Sequence, residues 1–410
     1  MIDYLKKKWM AAIDILEEIY DRIYYKLRFS KIGQYAMLAY NTTFDDVLLI
    51  PRKSLTSRKS ACIKTKLTKN IQLSIPLVSS NMDTVTGVEM AAAMANMGGI
   101  GFIYRLTNSI EEEAEMIKEV KKRGLNLNMN YLVGASVGVK GAFMERAKML
   151  IDAGTDIIIF DVANGYSNQM AYAIKTFKSK YPNVPIVAGN VATPGGVKFL
   201  AKLGVDCIKV GIGPGSVCTT RIVTGHGVPQ LSAIYRCAKK AKKYGIPIIA
   251  DGGIRNSGDI VKALAVGADV VMLGSLFAGT FESPGDVYTI EKNKIQKVPI
   301  TKVTSIEPED YDCLFKIYRG MSGKDVQIDA QKKTLSQKNE IVAEGVSKKI
   351  PYKGPVKPII EQLIGGLMSG MSYSHSKTIK ELQKKAIFEK VSTLGQKENT
   401  PHAKEFKHYR

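Results

Sequence analysis

The chain has 410 residues, of which 45% are hydrophobic and 24% charged, values typical of a soluble globular protein with one large domain or two smaller ones. It contains no apolar run long enough to span a bilayer and does not open on a secretory signal pattern, which argues against a membrane or secreted protein. Its five irregularly spaced cysteines argue against a disulfide framework or a zinc site and predict a cytoplasmic protein.

The net charge of +21 comes from 59 Lys and Arg against 38 Asp and Glu. Such a surface attracts anions in general, including nucleic acids and phosphorylated small molecules. The sequence carries no nucleic-acid-binding motif. We therefore predict a small phosphorylated substrate as the partner, and neither nucleic acid nor membrane.

Residues 1–40 differ from the rest of the chain. Apolar residues recur near helical spacing among lysines and acids, which predicts an amphipathic helical extension. This helix would pack on a partner subunit, on a membrane surface or on its own barrel, and packing on protein is the commoner case.

From residue 41 to 396 the pattern predicts an α/β fold, a (β/α)8 TIM barrel. Short β-branched runs alternate with amphipathic helical stretches, as in βα units around a parallel sheet. The alternative is a doubly wound open sheet. The predicted strands are 75–79, 99–103, 131–137, 156–160, 185–188, 207–210, 247–250 and 269–273.

After the last predicted strand the regular alternation ends. Residues 282–350, here called the flap, are polar and lysine-rich. We expect the flap to be a mobile loop, with one ordered segment at 316–322, and to close over the substrate. A helical pattern returns at Val356, and a polar tail covers 397–410.

The most informative stretch is the glycine-rich loop at 211–221, which follows a buried strand and contains Cys218. Its glycines allow the backbone to turn N–H and carbonyl groups toward a ligand, and a thiol there is a candidate nucleophile. Two later strands end in Asp251-Gly252-Gly253 and Gly274-Ser275, an arrangement that favours a phosphate site.

At this loop the chain resembles the family of inosine monophosphate dehydrogenases and guanosine monophosphate reductases, over residues 43–402. The resemblance also covers Thr-Phe-Asp-Asp-Val-Leu-Leu at 43–49, Ser-Ser-Asn-Met-Asp-Thr-Val at 79–85, Ala-Asp-Gly-Gly-Ile-Arg at 250–255 and Tyr-Arg-Gly-Met at 318–321. It implies a barrel, a homotetramer and a covalent intermediate between cysteine and purine. Many dehydrogenases of the family also carry regulatory modules, for which residues 121–130 are too short, so we expect no inserted regulatory domain.

Within the family, several motifs resemble the reductases. They include Asp-Val-Ala-Asn-Gly-Tyr-Ser at 161–167 and Glu344 in the flap. Dehydrogenases carry an adjacent Arg-Tyr in the flap, whose arginine activates water, whereas residues 322–345 contain neither arginine nor tyrosine. Ile254-Arg255 and the segment 367–371 look more like a dehydrogenase. The expected function is a GMP reductase, which converts GMP to IMP and ammonia with NADPH.

The resemblance assigns roles to individual residues. The catalytic group would be Cys218, Thr220 and Glu344. The NADPH site would comprise Ser57, Arg58, Arg105, Asp161, Val162, Ala163, Ile212 and Gly213. The GMP site would comprise Ser216, Asp251, Gly252, Gly253, Gly274, Ser275, Gly320, Met321, Ser322 and Gly345. Potassium or another monovalent cation would bind at Gly213, Gly215, Cys218 and Arg221.

Two other interpretations remain. The first is an IMP dehydrogenase that oxidises IMP to XMP with NAD. The second is a barrel without catalytic activity that binds purine nucleotides or nucleic acid.

Overall fold

The computed structural model describes residues 9, 16, 19, 30–107, 109–291, 294–304, 306–331 and 342–400. The strands are β1 (Val47–Leu49), β2 (Thr65–Lys66), β3 (Gln72–Leu73), β4 (Leu77–Ser79), β5 (Ile100–Ile103), β6 (Val133–Val137), β7 (Ile157–Asp161), β8 (Ile186–Val191), β9 (Cys207–Val210), β10 (Ile248–Asp251), β11 (Val270–Leu273), β12 (Val287–Glu291), β13 (Lys294–Val298), β14 (Leu314–Arg319), β15 (Ser347–Pro351) and β16 (Phe388–Lys390).

The helices of the described residues are α1 (Lys31–Ala39), α2 (Val88–Asn96), α3 (Ile110–Asn126), α4 (Phe143–Asp152), α5 (Asn168–Lys180), α6 (Pro194–Lys202), α7 (Thr220–Thr224), α8 (Gln230–Ala241), α9 (Ser257–Ala265), α10 (Ile300–Val303), α11 (Lys324–Gln331), α12 (Val356–Tyr373) and α13 (Ile379–Lys385). Short 3-10 helices lie at Phe44–Asp46, Arg58–Ser60, Lys242–Tyr244, Pro308–Cys313 and Gly395–Asn399. None of the described helices combines the length and the apolar character that crossing a bilayer requires.

Eight parallel strands, β4 to β11, close into a barrel, in which β11 pairs with β4. All eight predicted strands are confirmed, with ends shifted by no more than a few residues. Most of their side chains are buried, because one face of each strand points into the barrel and the other toward the surrounding helices. The predicted (β/α)8 barrel is therefore confirmed.

Polar caps fix where several of the outer helices begin. Ser109, Ser167, Thr193 and Asn256 each accept a hydrogen bond from a backbone N–H in the first turn of the helix that follows. Each cap satisfies an N–H group that the helix itself leaves free. The helices therefore begin next to the carboxyl ends of the strands, where the candidate site residues lie.

The apolar core has two main layers. One cluster fills the barrel interior and includes Phe102 and Ile249, together with Leu67 and Leu73 from the β2–β3 hairpin. A larger cluster lies mainly between the strands and the helices and includes Phe160 and Phe177. The amino ends of the strands are therefore filled with side chains, and the open end is the carboxyl end.

The flap differs from the expected mobile loop. Its described part contains a four-stranded antiparallel sheet in the order β13-β12-β14-β15. A small cluster of Val287, Val303, Leu314 and Tyr352 packs beside it. Strand β14 overlaps the predicted ordered segment at 316–322, and residues 332–341 lie outside the described part.

The predicted N-terminal extension is described at three isolated helical positions, Trp9, Leu16 and Ile19, and from Ser30 onward. Helix α1 packs against α8, and its Leu38 and Ala39 are buried. The last part of the extension therefore packs on the barrel. Most of the polar tail, residues 401–410, lies outside the described residues.

Candidate functional site

A cavity of about 240 Å³ opens at the carboxyl ends of the barrel strands. Loops after seven of the eight barrel strands and residues of the flap line it. Among the predicted site residues it is lined by Arg105, Asp161, Val162, Ala163, Ile212, Gly213, Gly215, Ser216, Cys218, Thr220, Asp251, Gly252, Gly253, Gly274, Ser275, Gly320, Met321, Ser322 and Glu344. Residues assigned to all four predicted roles therefore share one cavity.

A chain of hydrogen bonds joins the three predicted catalytic residues. The Cys218 thiol donates to Thr220 Oγ1 over 3.2 Å, and the Thr220 hydroxyl donates to Glu344 Oε2 over 2.8 Å. A thiol, a hydroxyl and a carboxylate in this order can pass a proton from the reacting centre to Glu344.

The flap backbone holds Glu344 in this position. Thr219 N–H donates to the Glu344 carbonyl over 2.9 Å, and Val346 N–H donates to the Val217 carbonyl over 3.0 Å. Cys218 and Gly345 form an isolated antiparallel bridge between these two contacts. Gly345, predicted to contact the base, therefore acts through its backbone in this pairing and is not among the cavity-lining residues.

A buried lysine lies at the base of the cavity. Lys209 is 4% exposed, and its Nζ lies 2.9 Å from Asp161 Oδ1 and 2.7 Å from Asp251 Oδ2. Burial alone would raise the pKa of Asp161, but the Lys209 ammonium and the Asn81 amide outweigh burial and hold that pKa below its ordinary value. The aspartate that ends β7 is therefore charged at neutral pH.

Asp251, at the end of β10, is fixed by a second neighbour. The Asn190 amide donates to Asp251 Oδ2 over 2.9 Å and to the Gly211 carbonyl over 2.7 Å. Gly211 adopts a φ of 149°, and a Cβ there would lie 2.0 Å from the Asp251 carbonyl oxygen, so only glycine fits. Both contacts to this carboxylate fall on Oδ2, and Asp251 lines the cavity.

The predicted phosphate side contains one aromatic residue that sequence reasoning did not assign. Tyr318 on β14 is 4% exposed, and its hydroxyl donates to Met82 Sδ over 3.7 Å and lies beside Ser216. Burial raises the pKa of Tyr318 to about 12, so the phenol keeps its proton. A Cβ at Gly274 would lie 2.8 Å from this hydroxyl, which shows how closely β14 approaches the turn after β11.

A second cavity of about 210 Å³ lies beside the first, and Arg105 lines both. Lys140 adds a further cation to its wall, and Arg146, which forms an ion pair with buried Glu113, also lines it. The side chain of Arg105 lies against Gly138 and forms no hydrogen bond or ion pair with any residue in the described ranges. Helix α4 begins at this cavity, and no side chain caps its amino end. An anionic group would therefore be favoured here.

Four predicted residues line neither cavity: Gly345, described above, and Ser57, Arg58 and Arg221. Ser57 and Arg58 are exposed near a short 3-10 helix that packs against α12. Arg221 packs over Gly213 and donates to the Val228 carbonyl over 2.8 Å. The monovalent cation site at 213–221 stays a prediction, as does the homotetramer. No group of three or more His, Cys, Asp or Glu within the described ranges could hold a metal ion.

Sequence reasoning missed four residues that shape the cavity: Asn81, Asn190, Lys209 and Tyr318. Asn81 and Tyr318 lie inside the family motifs at 79–85 and 318–321, and membership of these motifs could have identified them as site residues. Asn190 follows a predicted strand end. Lys209 had no signal, because a lysine inside a buried strand has no partner visible in the sequence.

Comparison with known proteins agrees with this geometry. The profile of the IMP dehydrogenase / GMP reductase domain matches residues 41–301 and 308–402. An inosine-5'-monophosphate dehydrogenase of Cryptosporidium parvum is 41% identical, over 88% of this chain and 94% of that protein. Those of Borreliella burgdorferi and Nitrosopumilus maritimus are 39% and 35% identical over 88% of this chain and over 96% and 98% of their own lengths.

These relatives correct one prediction. The expectation of a GMP reductase is wrong, because the similar proteins over most of the chain are named inosine-5'-monophosphate dehydrogenases. The motifs that favoured a reductase are short, and such local matches weigh less than similarity along the whole barrel. Both the fold and the extent of the match lead to one conclusion: the chain belongs to the IMP dehydrogenase / GMP reductase family.

Proposed function

We propose that this protein is an IMP dehydrogenase, which oxidises IMP to XMP with a nicotinamide dinucleotide and water. The observation that carries the proposal is the hydrogen-bonded chain of Cys218, Thr220 and Glu344 in the wall of the main cavity. The names of the similar proteins support the direction of the reaction.

In the proposed reaction, Cys218 Sγ forms a bond to C2 of the purine. A nicotinamide dinucleotide held beside Asp161, Val162 and Ala163 would supply the acceptor for the hydride that leaves C2, and Cys218 would remain bound to the purine as a thioimidate. Water then adds to C2, the carbon–sulfur bond breaks, and XMP leaves with the thiol restored. The thiol proton lost in the first step would be released to solvent, and water would supply the oxygen at C2 and the proton that restores the thiol. The net change would be transfer of one hydride to the cofactor and release of one proton.

The second half of this reaction needs a base, because water at neutral pH is a poor nucleophile. Dehydrogenases of the family place an arginine in the flap for this step, but residues 322–345 contain none. Glu344 is the carboxylate at the end of the chain that starts at the reacting thiol. We assign it the role of general base, which receives the proton of water through the Thr220 hydroxyl.

Binding of the nucleotide follows from the other walls of the cavity. The carboxylate of Asp251 is held by Lys209 and Asn190 with an edge free for the ribose hydroxyls. The backbone at 252–253 and 274–275, with Ser216 and Tyr318, would surround the phosphate. Because Gly252 and Gly253 have φ of 92° and 80°, larger residues would be strained there.

The dinucleotide would lie across both cavities. The nicotinamide end fits beside Asp161, Val162 and Ala163 in the main cavity, and its anionic part fits the second cavity, where Arg105 is without a partner among the described residues. The second cavity suits either the pyrophosphate of NAD or the additional phosphate of NADP.

Replacing Arg105 tests this arrangement. Arg105→Met should raise KM for the dinucleotide by about 10- to 100-fold with little change in KM for IMP, because a charge-assisted hydrogen bond is lost. Arg58→Met, which removes an exposed arginine away from both cavities, is the matched control. An unchanged KM for NAD and NADP in Arg105→Met would contradict the proposed cofactor position.

The decisive experiment is an assay of the purified protein. With IMP and NAD or NADP, absorbance of the reduced cofactor should rise over many turnovers and XMP should accumulate in equal amount. Consumption of reduced cofactor with release of ammonia from GMP, and no XMP from IMP, would overturn the proposal.

A further inference from the structure

The ammonium of Lys353 lies against the turn that follows β11. Its Nζ donates to three backbone carbonyls, those of Ser275 (2.6 Å), Leu276 (3.2 Å) and Ala278 (2.8 Å). Lys353 comes from the segment just after β15, at the base of the flap. One side chain therefore binds most of the carbonyls of one short turn.

The backbone N–H groups at the two ends of this turn differ in their hydrogen-bond partners. Phe277 N–H and Ala278 N–H donate to the Gly274 carbonyl over 3.0 and 2.8 Å. The N–H groups of Ser275 and Leu276 donate to no residue within the described ranges. Gly274 and Ser275 line the main cavity, whereas Lys353 does not. The free Leu276 N–H belongs to the same peptide as the Ser275 carbonyl that Lys353 binds, whereas the Ser275 N–H belongs to the neighbouring peptide, whose Gly274 carbonyl accepts from Phe277 and Ala278.

We propose that Lys353 is a positioning residue for the phosphate of the nucleotide, because its ammonium fixes the 274–278 turn with its N–H groups available to that phosphate. This inference rests on the proposed placement of the phosphate at this turn. Lys353 acts through the peptides and does not touch the nucleotide. Loss of the contact to the Ser275 carbonyl would free that peptide to rotate, and the Leu276 N–H would turn with it.

The surroundings of Lys353 make this contact sensitive to pH. Burial lowers the pKa of Lys353 to about 8. The charged groups on the neighbouring elements have other partners: Glu282 accepts the N–H of Val356, and Lys316 donates to the carbonyls of Thr280 and Ser283. The ammonium therefore loses its proton near pH 8, and a neutral amine binds carbonyl oxygens more weakly.

Lys316 provides a matched control. It is 2% exposed, burial lowers its pKa to about 8, and it too donates to backbone carbonyls. Those carbonyls belong to Thr280 and Ser283, beyond the turn. A general effect of removing a buried lysine should appear in both variants, whereas an effect on phosphate binding should appear only at Lys353.

The experiment compares affinities for IMP and inosine, without dinucleotide, in the intact protein and in Lys353→Met and Lys316→Met. We expect Lys353→Met to weaken IMP binding roughly 10-fold, within the usual range of coupling between sites, and to leave inosine binding unchanged. Lys316→Met should leave the ratio of the two affinities unchanged. An unchanged ratio in Lys353→Met, or an equal change in both variants, would overturn the proposal.

A pH series on the unsubstituted protein gives a second measurement if Lys353→Met does not fold. The IMP phosphate is a dianion well above its second pKa of about 6, so from pH 7 to 9 its charge is constant. The affinity for IMP relative to inosine should fall over this range. The pKa of Lys353 is lower in the folded protein than in the unfolded chain, so above pH 8 the unfolded chain binds more protons. The free energy of unfolding therefore does not fall there because of Lys353, and a loss of affinity would not reflect unfolding caused by this residue. A constant ratio from pH 7 to 9 would contradict the inference.

The same series with GMP and guanosine separates this inference from the proposed reaction. If both monophosphates depend on Lys353 but IMP is not oxidised, the positioning role stands and the dehydrogenase proposal fails.

Discussion

Cys207 and Cys218 lie at opposite ends of the segment formed by strand β9 and the loop after it, and they differ in reactivity because their surroundings differ. Cys207 begins β9 and is fully buried, and burial raises the pKa of its thiol well above the ordinary value. Cys218 lies in the cavity wall and donates to Thr220. The proposed nucleophile is therefore the second of these two thiols.

Replacement of Cys218 by alanine should abolish turnover, because the bond from sulfur to the purine cannot form. IMP should still bind, since the proposed phosphate and ribose contacts do not involve the thiol. Steady-state rates and equilibrium binding of IMP measure the two effects. Cys207→Ala is the control and should retain the rate, with a loss of stability only. A Cys218→Ala variant that kept more than a few per cent of the rate would disprove the covalent mechanism.

At Glu344 the two halves of the reaction should separate. Glu344→Gln keeps the size of the side chain and a hydrogen bond to Thr220 but removes the base. Hydrolysis should slow by about 100- to 10,000-fold, the usual contribution of such a group, while the first hydride transfer should change far less. Rapid mixing with IMP and NAD should therefore show a burst of reduced cofactor followed by a slow steady state. Equal slowing of the burst and the steady state would exclude the proposed role.

Among the elements, three barrel strands are preceded by an aspartate with a repeated function. Asp156, Asp206 and Asp269 come directly before β7, β9 and β11. Each accepts the first N–H of the preceding strand, from Val133, Ile186 and Ile248, over 2.8 to 3.0 Å. Asp156 and Asp206 also form ion pairs with Lys121 and Lys178. The three carboxylates thus tie neighbouring strands together at the closed end of the barrel.

Asp269 should give the protein a measurable pH dependence. Burial raises its pKa from 3.8 to about 6, so the unfolded chain loses this proton at lower pH than the folded one. Protonated Asp269 therefore favours the folded state below pH 4. As pH rises from 4 to 6, the free energy of unfolding falls by about 3 kcal/mol, at 1.36 kcal/mol per pKa unit.

The matching variant is Asp269→Asn, which can still accept the Ile248 N–H but carries no charge. Urea unfolding between pH 4 and 7 should show wild type losing stability relative to Asp269→Asn up to pH 6 and a constant difference above it. Parallel curves would contradict the assignment. Asp206→Asn, which removes an ion pair as well, should cost stability at neutral pH.

Elements with a buried face could be predicted, and those without one could not. The barrel strands are continuous runs such as Ile157-Ile158-Ile159, which periodicity recognises. Strands β13 and β15 are mostly exposed and rich in lysine, so they resemble loops. Their sheet is stabilised by backbone pairing and one small cluster, neither of which leaves a pattern in the sequence.

For the whole molecule, the site brings together residues from Ser80 to Glu344. Sequence alone predicted most of its members, because family motifs mark the strand ends. It could not predict the direction of the reaction, since the thiol, hydroxyl and carboxylate suit either deamination or hydrolysis. It also could not predict the contacts of Lys209 or Lys353, which depend on distant segments meeting in space.

Two truncations should define the minimal barrel. A protein that starts at Ser30 should keep its thermal stability and kcat. One that starts at Asn41 loses α1, with buried Leu38 and the two hydrogen bonds between Gln34 and the Phe388 backbone. Burial of one leucine contributes about 1.5–3 kcal/mol and each hydrogen bond about 1 kcal/mol. Its Tm should fall by roughly 5–10 °C, with kcat retained. Equal Tm values would show that α1 adds nothing to the barrel.

The position of Lys209 has a consequence for the order in which ligands bind. Its single ammonium bridges Asp161 on the proposed dinucleotide side and Asp251 on the proposed nucleotide side. A ribose hydroxyl that donates a hydrogen bond to Asp251 would weaken the ion pair between Asp251 and Lys209. Lys209 would then interact more strongly with Asp161. The two ligands are therefore linked thermodynamically, and each changes the affinity of the other by the same factor. Saturation with either ligand would shift the apparent dissociation constant of the other, although the two ligands need not touch.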